Sequence, residues 1–267
     1  GLTGDALKAA QKMFMVTFEE RDQLLRPIAE SGQEAVGSMG DDTPMAVLSR
    51  QVRHVSDYFR QQFAQVTNPP IDPLRESIVM SLETCLGREQ NVFEQGPEHA
   101  DRIIISSPVL SNSKMQQLRD VEKEREGYGV VDIDLNYAEA EGLQAAIARI
   151  CEEAAQAVRD GKTLIVLTDK NFREGFLPAN SALATGAVHH HLIKTGLRTD
   201  ANILVETGFA RDPHQFAVLL GFGATAVYPY LAYDVINDLV AKGELLGDPI
   251  HAQANFRKGI EKGLLKV

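Results

Sequence analysis

The sequence contains no tryptophan, only two cysteines and no long apolar run. Its two thiols, Cys85 and Cys151, are too few for a disulfide framework, and both fall in segments with helical spacing, which predicts buried, reduced side chains. The apolar runs are too short to span a bilayer, and the N-terminus lacks the pattern of a signal peptide. These absences predict a cytoplasmic protein that is not anchored in a membrane.

Basic side chains are also scarce. The 27 lysines and arginines are outnumbered by 37 aspartates and glutamates, which gives a net charge of -10, and no basic patch stands out. Because phosphate contacts need clustered Lys and Arg, nucleic acid is not expected as a partner. The 267 residues, 44% of them hydrophobic, suit one large domain or two small ones with a core that needs no disulfide.

The pattern of apolar residues changes near the middle of the chain. Residues 1–100 read as mainly helical, with Thr17 and Glu20 spaced as a capping box. In residues 101–267, short apolar runs predict strands, and the last three each precede a helical stretch, which demands a parallel sheet with right-handed crossovers. The predicted fold class is therefore α/β, a helical N-terminal third followed by β/α units. The predicted strands are 103–105, 130–135, 164–167, 202–205 and 225–228, with a long helix at 138–159.

A proline-rich elbow within residues 58–76 is the most informative stretch of the chain. Pro69, Pro70 and Pro73 remove three backbone donors, so no helix continues through it. Helical spacing predicts an amphipathic helix on each side, the second with Asp72 as N-cap and Gly87 as its stop. Such a turn is most often a rigid connector, and lining a passage is the other use. The apolar positions are Val52, Val55, Phe59, Phe63 and Val66 before the elbow, and Leu74, Ile78, Leu82 and Cys85 after it.

Any site of a parallel β/α sheet lies at the carboxyl ends of its strands. Asp169 and Lys170 follow one predicted strand and have the chemistry of an acid and base pair, while Glu206 follows the next and has that of a proton acceptor. The simpler interpretation is that they cap loops. We favour it, because no phosphate loop, nucleophile motif or second carboxylate at a fixed spacing accompanies them. No catalytic or cofactor-binding residue is predicted.

Three further patterns resemble ligand motifs in the wrong context. The glycines at 221 and 223 follow a predicted helix and precede a strand, the reverse of a dinucleotide motif, so we interpret them as helix end and turn. Gly37-Ser-Met-Gly40 is followed by Asp41 and Asp42, which repel an anion. Consecutive histidines on a helix point about 100° apart, so His189, His190 and His191 cannot share one metal ion, and we expect one buried and two solvated rings.

Several long blocks resemble one family, that of the central domain of the glutamate synthase large subunit. The elbow is one block, and a Gly-Ser-Met-Gly-Asp-Asp-Thr-Pro segment precedes it, as in that family. Blocks of this length in this order are far more specific than a short motif, and the resemblance runs over most of the chain, least distinctively at 94–126. The blocks are 26–35, 37–44, 58–76, Glu206-Thr207 with 210–213, and 216–233.

The resemblance implies a domain with a rudimentary, degenerate relative of the flavin-binding TIM-like barrel and no cofactor of its own, spanning 1–267. Such a domain links the glutamine amidotransferase domain to the FMN domain of the same polypeptide and forms part of the wall of an ammonia tunnel. The residues assigned to that wall are Thr67, Asn68, Pro69, Pro70 and Asp72.

The resemblance also implies a parent enzyme, an oxidoreductase that converts glutamine and 2-oxoglutarate to two glutamates. That enzyme uses FMN and an iron-sulfur cluster, with electrons from a small reductase subunit or ferredoxin. A first residue other than Met and a last segment without a stop signal suggest a piece of a longer chain. The piece alone is expected to be inactive.

Two other functions stay open. A stand-alone flavin- or phosphate-binding β/α-barrel enzyme would require a cofactor site at the strand ends. A pure assembly module would instead show a large apolar face on the helices of the first third and no contact with a tunnel.

Overall fold

The computed structural model describes residues 1–35, 46, 48–60 and 72–267. Side-chain caps fix several helix starts. The Thr17 hydroxyl accepts a hydrogen bond from the Glu20 N–H at 3.1 Å, which is one half of the predicted capping box, while the Glu20 side chain accepts from Arg211 instead. Asp212 accepts from the Gln215 N–H at 2.7 Å. The helices are α1 (Gly4–Met13), α2 (Phe18–Glu20), α3 (Arg26–Ser31), α4 (Pro73–Val79), α5 (Asn112–Asp120), α6 (Leu143–Arg159), α7 (Ser181–Lys194), α8 (Pro213–Gly221), α9 (Tyr230–Ala241) and α10 (Pro249–Lys266). A π-helical turn (Arg21–Leu25) joins α2 to α3, and 3-10 turns lie at Val55–Tyr58, Pro97–Ala100, Val121–Lys123 and Arg198–Asp200.

A four-stranded parallel sheet organises the second part of the chain. Its order is β3-β5-β7-β8, and all its neighbouring strands are parallel, as the alternation of strands and helices predicts. Six of the seven residues of β5 are buried, which explains why its sequence lacks polar alternation. The strands are β1 (Thr84–Leu86), β2 (Ile103–Ile105), β3 (Gly129–Asp134), β4 (Asn136–Ala138), β5 (Lys162–Thr168), β6 (Phe176–Pro178), β7 (Asn202–Glu206) and β8 (Ala226–Tyr228).

The parallel sheet is open in the described part of the chain. β3 lies at one edge and β8 at the other, where Val109 adds a single parallel bridge to Val227. Helices α6 and α7 pack against the sheet, while α10 packs against α3, α8 and α9. The predicted α/β class is confirmed, and an open sheet of this kind is consistent with a degenerate rather than a closed barrel.

The prediction for the segment after the elbow is correct at its start and wrong at its end. Asp72 caps α4 as expected, but the helix stops at Val79, and β1 follows instead of further helix. Cys85 is exposed in β1 opposite Ile104, and Gly87 comes after a strand with a φ of 133°. Pairing of β1 with β2 buries Leu86, so tertiary pairing overrides the helical spacing. Cys151 is buried in α6, as predicted.

The predicted helix before the elbow is also wrong within residues 52–60. Only the turn Val55–Tyr58 forms there, and Phe59 already has extended backbone angles. The turn is closed by its own polar groups: His54 accepts from the Ser56 N–H at 3.2 Å, and Asp57 accepts from the His54 N–H at 3.2 Å. Phe63 and Val66 lie outside the described residues. None of the helices in the described part of the chain combines the length and apolar character needed to cross a membrane.

Helices α3 and α10 approach each other closely at Gly259. A Cβ atom on Gly259 would lie 2.5 Å from Cγ2 of Ile28 and 3.0 Å from the carbonyl oxygen of Gln33. Backbone cannot yield as a flexible side chain does, so this contact depends on the absence of a side chain.

We expect Gly259→Ala to lower the free energy of unfolding by about 1–3 kcal/mol, because the added methyl overpacks the α3–α10 contact. Urea unfolding measures the change. Gly221→Ala is the matched control, since a Cβ at this helical position meets nothing within 4 Å. Equal unfolding midpoints for the two variants would contradict the packing argument.

Candidate functional site

The centre of the candidate site is Asp169, the residue that follows β5. Its side chain is fully buried, and its carboxylate accepts hydrogen bonds from three donors. These are the Thr207 hydroxyl, the Gly208 N–H at 3.0 Å and the Tyr230 hydroxyl at 2.9 Å. One carboxylate thus joins the ends of β5 and β7 to the start of α9.

Burial governs the ionisation of this group. It raises the pKa of Asp169 to about 7, against the three donors, which favour the carboxylate. The pKa of Tyr230 is raised by burial and by the adjacent Asp169, so its hydroxyl keeps its proton and remains a donor.

Glu206, the last residue of β7, forms a second buried carboxylate site. It accepts from Arg119 Nη2 at 2.8 Å and from the Thr168 hydroxyl at 2.7 Å. Lys170 Nζ lies 3.6 Å from its other oxygen, and Arg119 also pairs with Asp132. The structure therefore pairs Lys170 with Glu206, whereas the alternative hypothesis paired it with Asp169. Both oxygens of Glu206 already have partners, which agrees with a structural role.

The loop that follows β7 carries a buried ion pair that the sequence did not reveal. Arg211 Nε donates to Glu20 at 2.6 Å, and Arg211 Nη1 donates to the Gly208 carbonyl at 2.6 Å. The two partners are 191 positions apart, so no local motif announces the contact. The only sign of this contact in the sequence is that an arginine stands directly before the N-cap of α8. The pair fixes the helical N-terminal part against the strand-end loop.

Residues 54–58, the segment leading to the elbow, rest on the same loop and on the first turn of α8. Nε2 of His214 lies 2.8 Å from the Ser56 carbonyl, and the His54 ring packs edge-on against Phe209 at 5.3 Å. Burial, together with the nearby Arg211 and His214, lowers the pKa of His54 to about 4. His54 is therefore neutral near pH 7, with its Nδ1 accepting from the Ser56 N–H.

The elbow residues themselves fall largely outside the described part. Thr67, Asn68, Pro69 and Pro70 lie outside the described residues, so their assignment to a tunnel wall stays a prediction. Asp72 is exposed, and its Oδ1 accepts from the N–H groups of Leu74 at 3.0 Å and Arg75 at 2.9 Å. It is a helix cap, and its contribution to a tunnel also stays a prediction.

The histidine run differs from expectation in one respect. His190 is exposed, while His189 and His191 are both partly buried, so none of the three is the fully buried ring that we expected. Arg198 Nε donates to Nδ1 of His189 at 2.9 Å, which explains its position. Among the described residues, no group of three His, Cys, Asp or Glu side chains is placed to hold a metal ion.

The glycines at 221 and 223 are confirmed as helix end and turn. Helix α8 ends at Gly221, Gly223 has a φ of 114°, and β8 follows. The segment Gly37-Ser-Met-Gly40 lies outside the described residues.

Fold and site together define a class: an α/β protein with an open parallel sheet whose strand ends are linked by its own buried carboxylates. The comparison with known families is specific. The chain belongs to the family of the glutamate synthase central domain, whose model matches residues 9–267.

Relatives whose names give three different electron donors are almost equally similar to the chain. It is 41% identical to the glutamate synthase [NADPH] large chain of Azospirillum brasilense, over 98% of this chain and 17% of that one. It is 41% identical to the glutamate synthase [NADH] of Schizosaccharomyces pombe, over 95% of this chain and 12% of that one. For the chloroplastic ferredoxin-dependent glutamate synthase of Oryza sativa, the identity is 40%, over 96% of this chain and 17% of that one. The chain thus spans 12–17% of the length of these relatives, and identity does not separate the donor types.

Among solved structures, a flavocytochrome b2 variant with benzoylformate shows a weak likeness. Its TM-score is 0.37 at 14% identity, over 58% of this chain and 34% of that one. No conclusion rests on it.

We expect the buried Asp169 to make folding stability pH-dependent. Its pKa in the folded chain lies near 7, above the ordinary value of 3.8, so the folded state binds more protons than the unfolded state between these values. Stability therefore falls as pH rises from about 4 to about 7 and levels off above, by up to about 4 kcal/mol. The measurement is the difference in unfolding free energy between the unaltered chain and Asp169→Asn across this range.

Asp5→Asn, the same substitution at an exposed aspartate on α1, is the control: it keeps Asp169 and should show the same fall as the unaltered chain. A difference between the unaltered chain and Asp169→Asn that stays constant from pH 4 to 8 would contradict the assignment to Asp169.

Proposed function

We propose that this chain is the non-catalytic central domain of a cytoplasmic glutamate synthase. In that enzyme it joins the glutamine amidotransferase domain to the FMN domain and forms part of the wall through which ammonia passes. The parent reaction would convert glutamine, 2-oxoglutarate and a reductant to two glutamates. The observation that carries the proposal is the family match over 9–267, with relatives of which the chain makes up only 12–17%.

The polar strand ends support a linking role. Asp169 and Glu206 stand where β/α proteins place catalytic or cofactor-binding groups, yet both are buried and bonded to their own chain. Asp169 joins two strands and a helix, and Glu206 holds Arg119 and Lys170. Such groups stiffen the edge of the sheet.

The contacts of the segments on either side of the elbow are consistent with a tunnel wall. The segment before it contacts the first turn of α8 through the Ser56 carbonyl and the loop after β7 through the His54 ring, and Asp72 caps the helix after it. A wall that keeps neutral ammonia from bulk water needs a rigid backbone, which Pro69 and Pro70 supply. Thr67 and Asn68 would offer oxygens that accept hydrogen bonds from the passing molecule.

The cofactors of the parent enzyme do not suit the residues of this chain. An iron-sulfur cluster is held by several cysteine thiolates, and here Cys85 is exposed in β1 while Cys151 is buried in α6. At the ends of β5 and β7, the Thr168 and Thr207 hydroxyls already donate to Glu206 and Asp169, so they are not available to a flavin phosphate. We therefore assign FMN, the cluster and the electron donor, a small reductase subunit or ferredoxin, to other parts of the parent.

An assembly role is the second candidate. Ile78 and Val79 on α4 are 82% and 52% exposed, which is unusual for large apolar side chains on a helix. In a larger polypeptide such a helix would pack against a neighbouring domain.

We expect Asn68→Ala, made in the intact synthase, to uncouple its two half-reactions. Glutamine hydrolysis would continue while glutamate formation drops several-fold, because ammonia escapes before it reaches the second site. Both rates are measured on the same preparation. Asn91→Ala, at an exposed asparagine in another loop, is the control and should leave the ratio unchanged. An equal fall of both rates in a folded protein would count against a tunnel role and favour assembly.

A second measurement tests the absence of a cofactor. The purified chain is mixed with excess FMN, passed through gel filtration and examined by visible absorption. We expect a colourless, folded protein. Flavin that survives the column would overturn the linking role and point to Asp169, Lys170 and Glu206 as a working site.

A further inference from the structure

A cavity of about 410 Å³ lies at the carboxyl end of the sheet, on the β8 side of the Asp169 cluster. Lys170, Tyr228, Tyr233, Asp234 and Arg257 are among the residues that line it. We propose that this cavity binds a small molecule through one oxyanion group, a carboxylate or a phosphate. The inference does not depend on the role proposed for the elbow.

Arg257 supplies the main positive charge. It is partly buried on α10, and its guanidinium carbon lies 5.9 Å from the centre of the Tyr233 ring. Within the described residues Arg257 forms no ion pair with a carboxylate, although Glu261 lies one turn further along α10 and faces the same tyrosine. The guanidinium also hydrogen-bonds the Tyr233 side chain, and the planar donors that this contact leaves are available for an oxyanion.

Two tyrosine hydroxyls form hydrogen bonds with residues at the start of α5, beside the same cavity. The Tyr233 hydroxyl donates to the Leu110 carbonyl at 2.7 Å, and the Tyr228 hydroxyl donates to Asn112 Oδ1 at 3.0 Å. Ser111 caps α5 by accepting from the Lys114 N–H. The N–H groups of Asn112 and Ser113 find no acceptor among the described residues, and both residues line the cavity. Arg257 and these two amides therefore offer donors to the same space.

The remaining charges restrict what can bind. Lys170 lines the cavity but shares its charge with Glu206 at 3.6 Å. Asp234 brings a negative charge to the cavity; it accepts from the Leu2 N–H at 2.9 Å and lies near the amino group of Gly1, which also lines the cavity. One oxyanion near Arg257 and α5 is compatible with this arrangement, whereas a second negative group beside Asp234 is not. The chemistry admits a monophosphate or a carboxylic acid, and the volume limits it to a small molecule.

Isothermal titration calorimetry of the purified chain tests the proposal. The probes are inorganic phosphate and butyrate, a monocarboxylate, each at constant ionic strength set with sodium chloride, because screening alone changes weak charge interactions. Arg257→Gln removes the cation. Lys258→Gln makes the same change of charge on the neighbouring, exposed residue of α10, which does not line the cavity. Ser113→Asp places a carboxylate at the start of α5, where it competes with the ligand and favours the helix.

We expect saturable binding of phosphate or butyrate, weakened about tenfold or more by Arg257→Gln and by Ser113→Asp. Lys258→Gln should bind like the unaltered chain. Binding of only one probe shows whether the cavity takes a phosphate or a carboxylate. If Arg257→Gln fails to fold, the affinity of the Ser113→Asp variant for the probes tests the proposal. No saturable binding of either probe, or binding that Ser113→Asp leaves intact, would overturn the proposal.

Discussion

The carboxylate of Asp169 is the contact on which this arrangement depends. Its three donors come from the loop after β7 and from α9, so two strand ends and a helix converge on one buried group. Burial disfavours the charge while the donors favour it, and the raised pKa shows that burial has the larger effect. The loop it positions is the one that Arg211 joins to Glu20 and on which residues 54–58 rest. The segment that leads to the elbow therefore rests on a loop that the Asp169 carboxylate helps to position.

Much of the fold could be predicted because its signals are local. The runs at 164–167, 202–205 and 225–228 were predicted as parallel strands since strands buried on both faces are continuously apolar, and the structure confirms all three. The caps at Thr17 and Asp72 are confirmed for the same reason, as each needs only its next three residues.

What could not be predicted depends on distant partners. The spacing of Leu74, Ile78, Leu82 and Cys85 fits a helix, yet β2 pairs with residues 84–86 and makes them a strand. Asp169 and Glu206 were correctly placed at strand ends, but their donors lie 38 to 87 positions away and have no spacing rule. The interpretation of these residues as structural groups agrees with the bonds they make. The residues assigned to the tunnel stay a prediction.

The open sheet has a consequence for the behaviour of this chain in solution. Within the described residues β3 pairs on one side only, with β5, and a strand with an unpaired side invites pairing with another copy. Here Asp132 and Asp134 alternate along β3, and each is paired with an arginine, Arg119 or Arg173. These ion pairs are partly exposed, and an identical strand that covered them would remove them from water, which is costly. The same carboxylates that bind neighbouring arginines therefore also disfavour pairing through this edge.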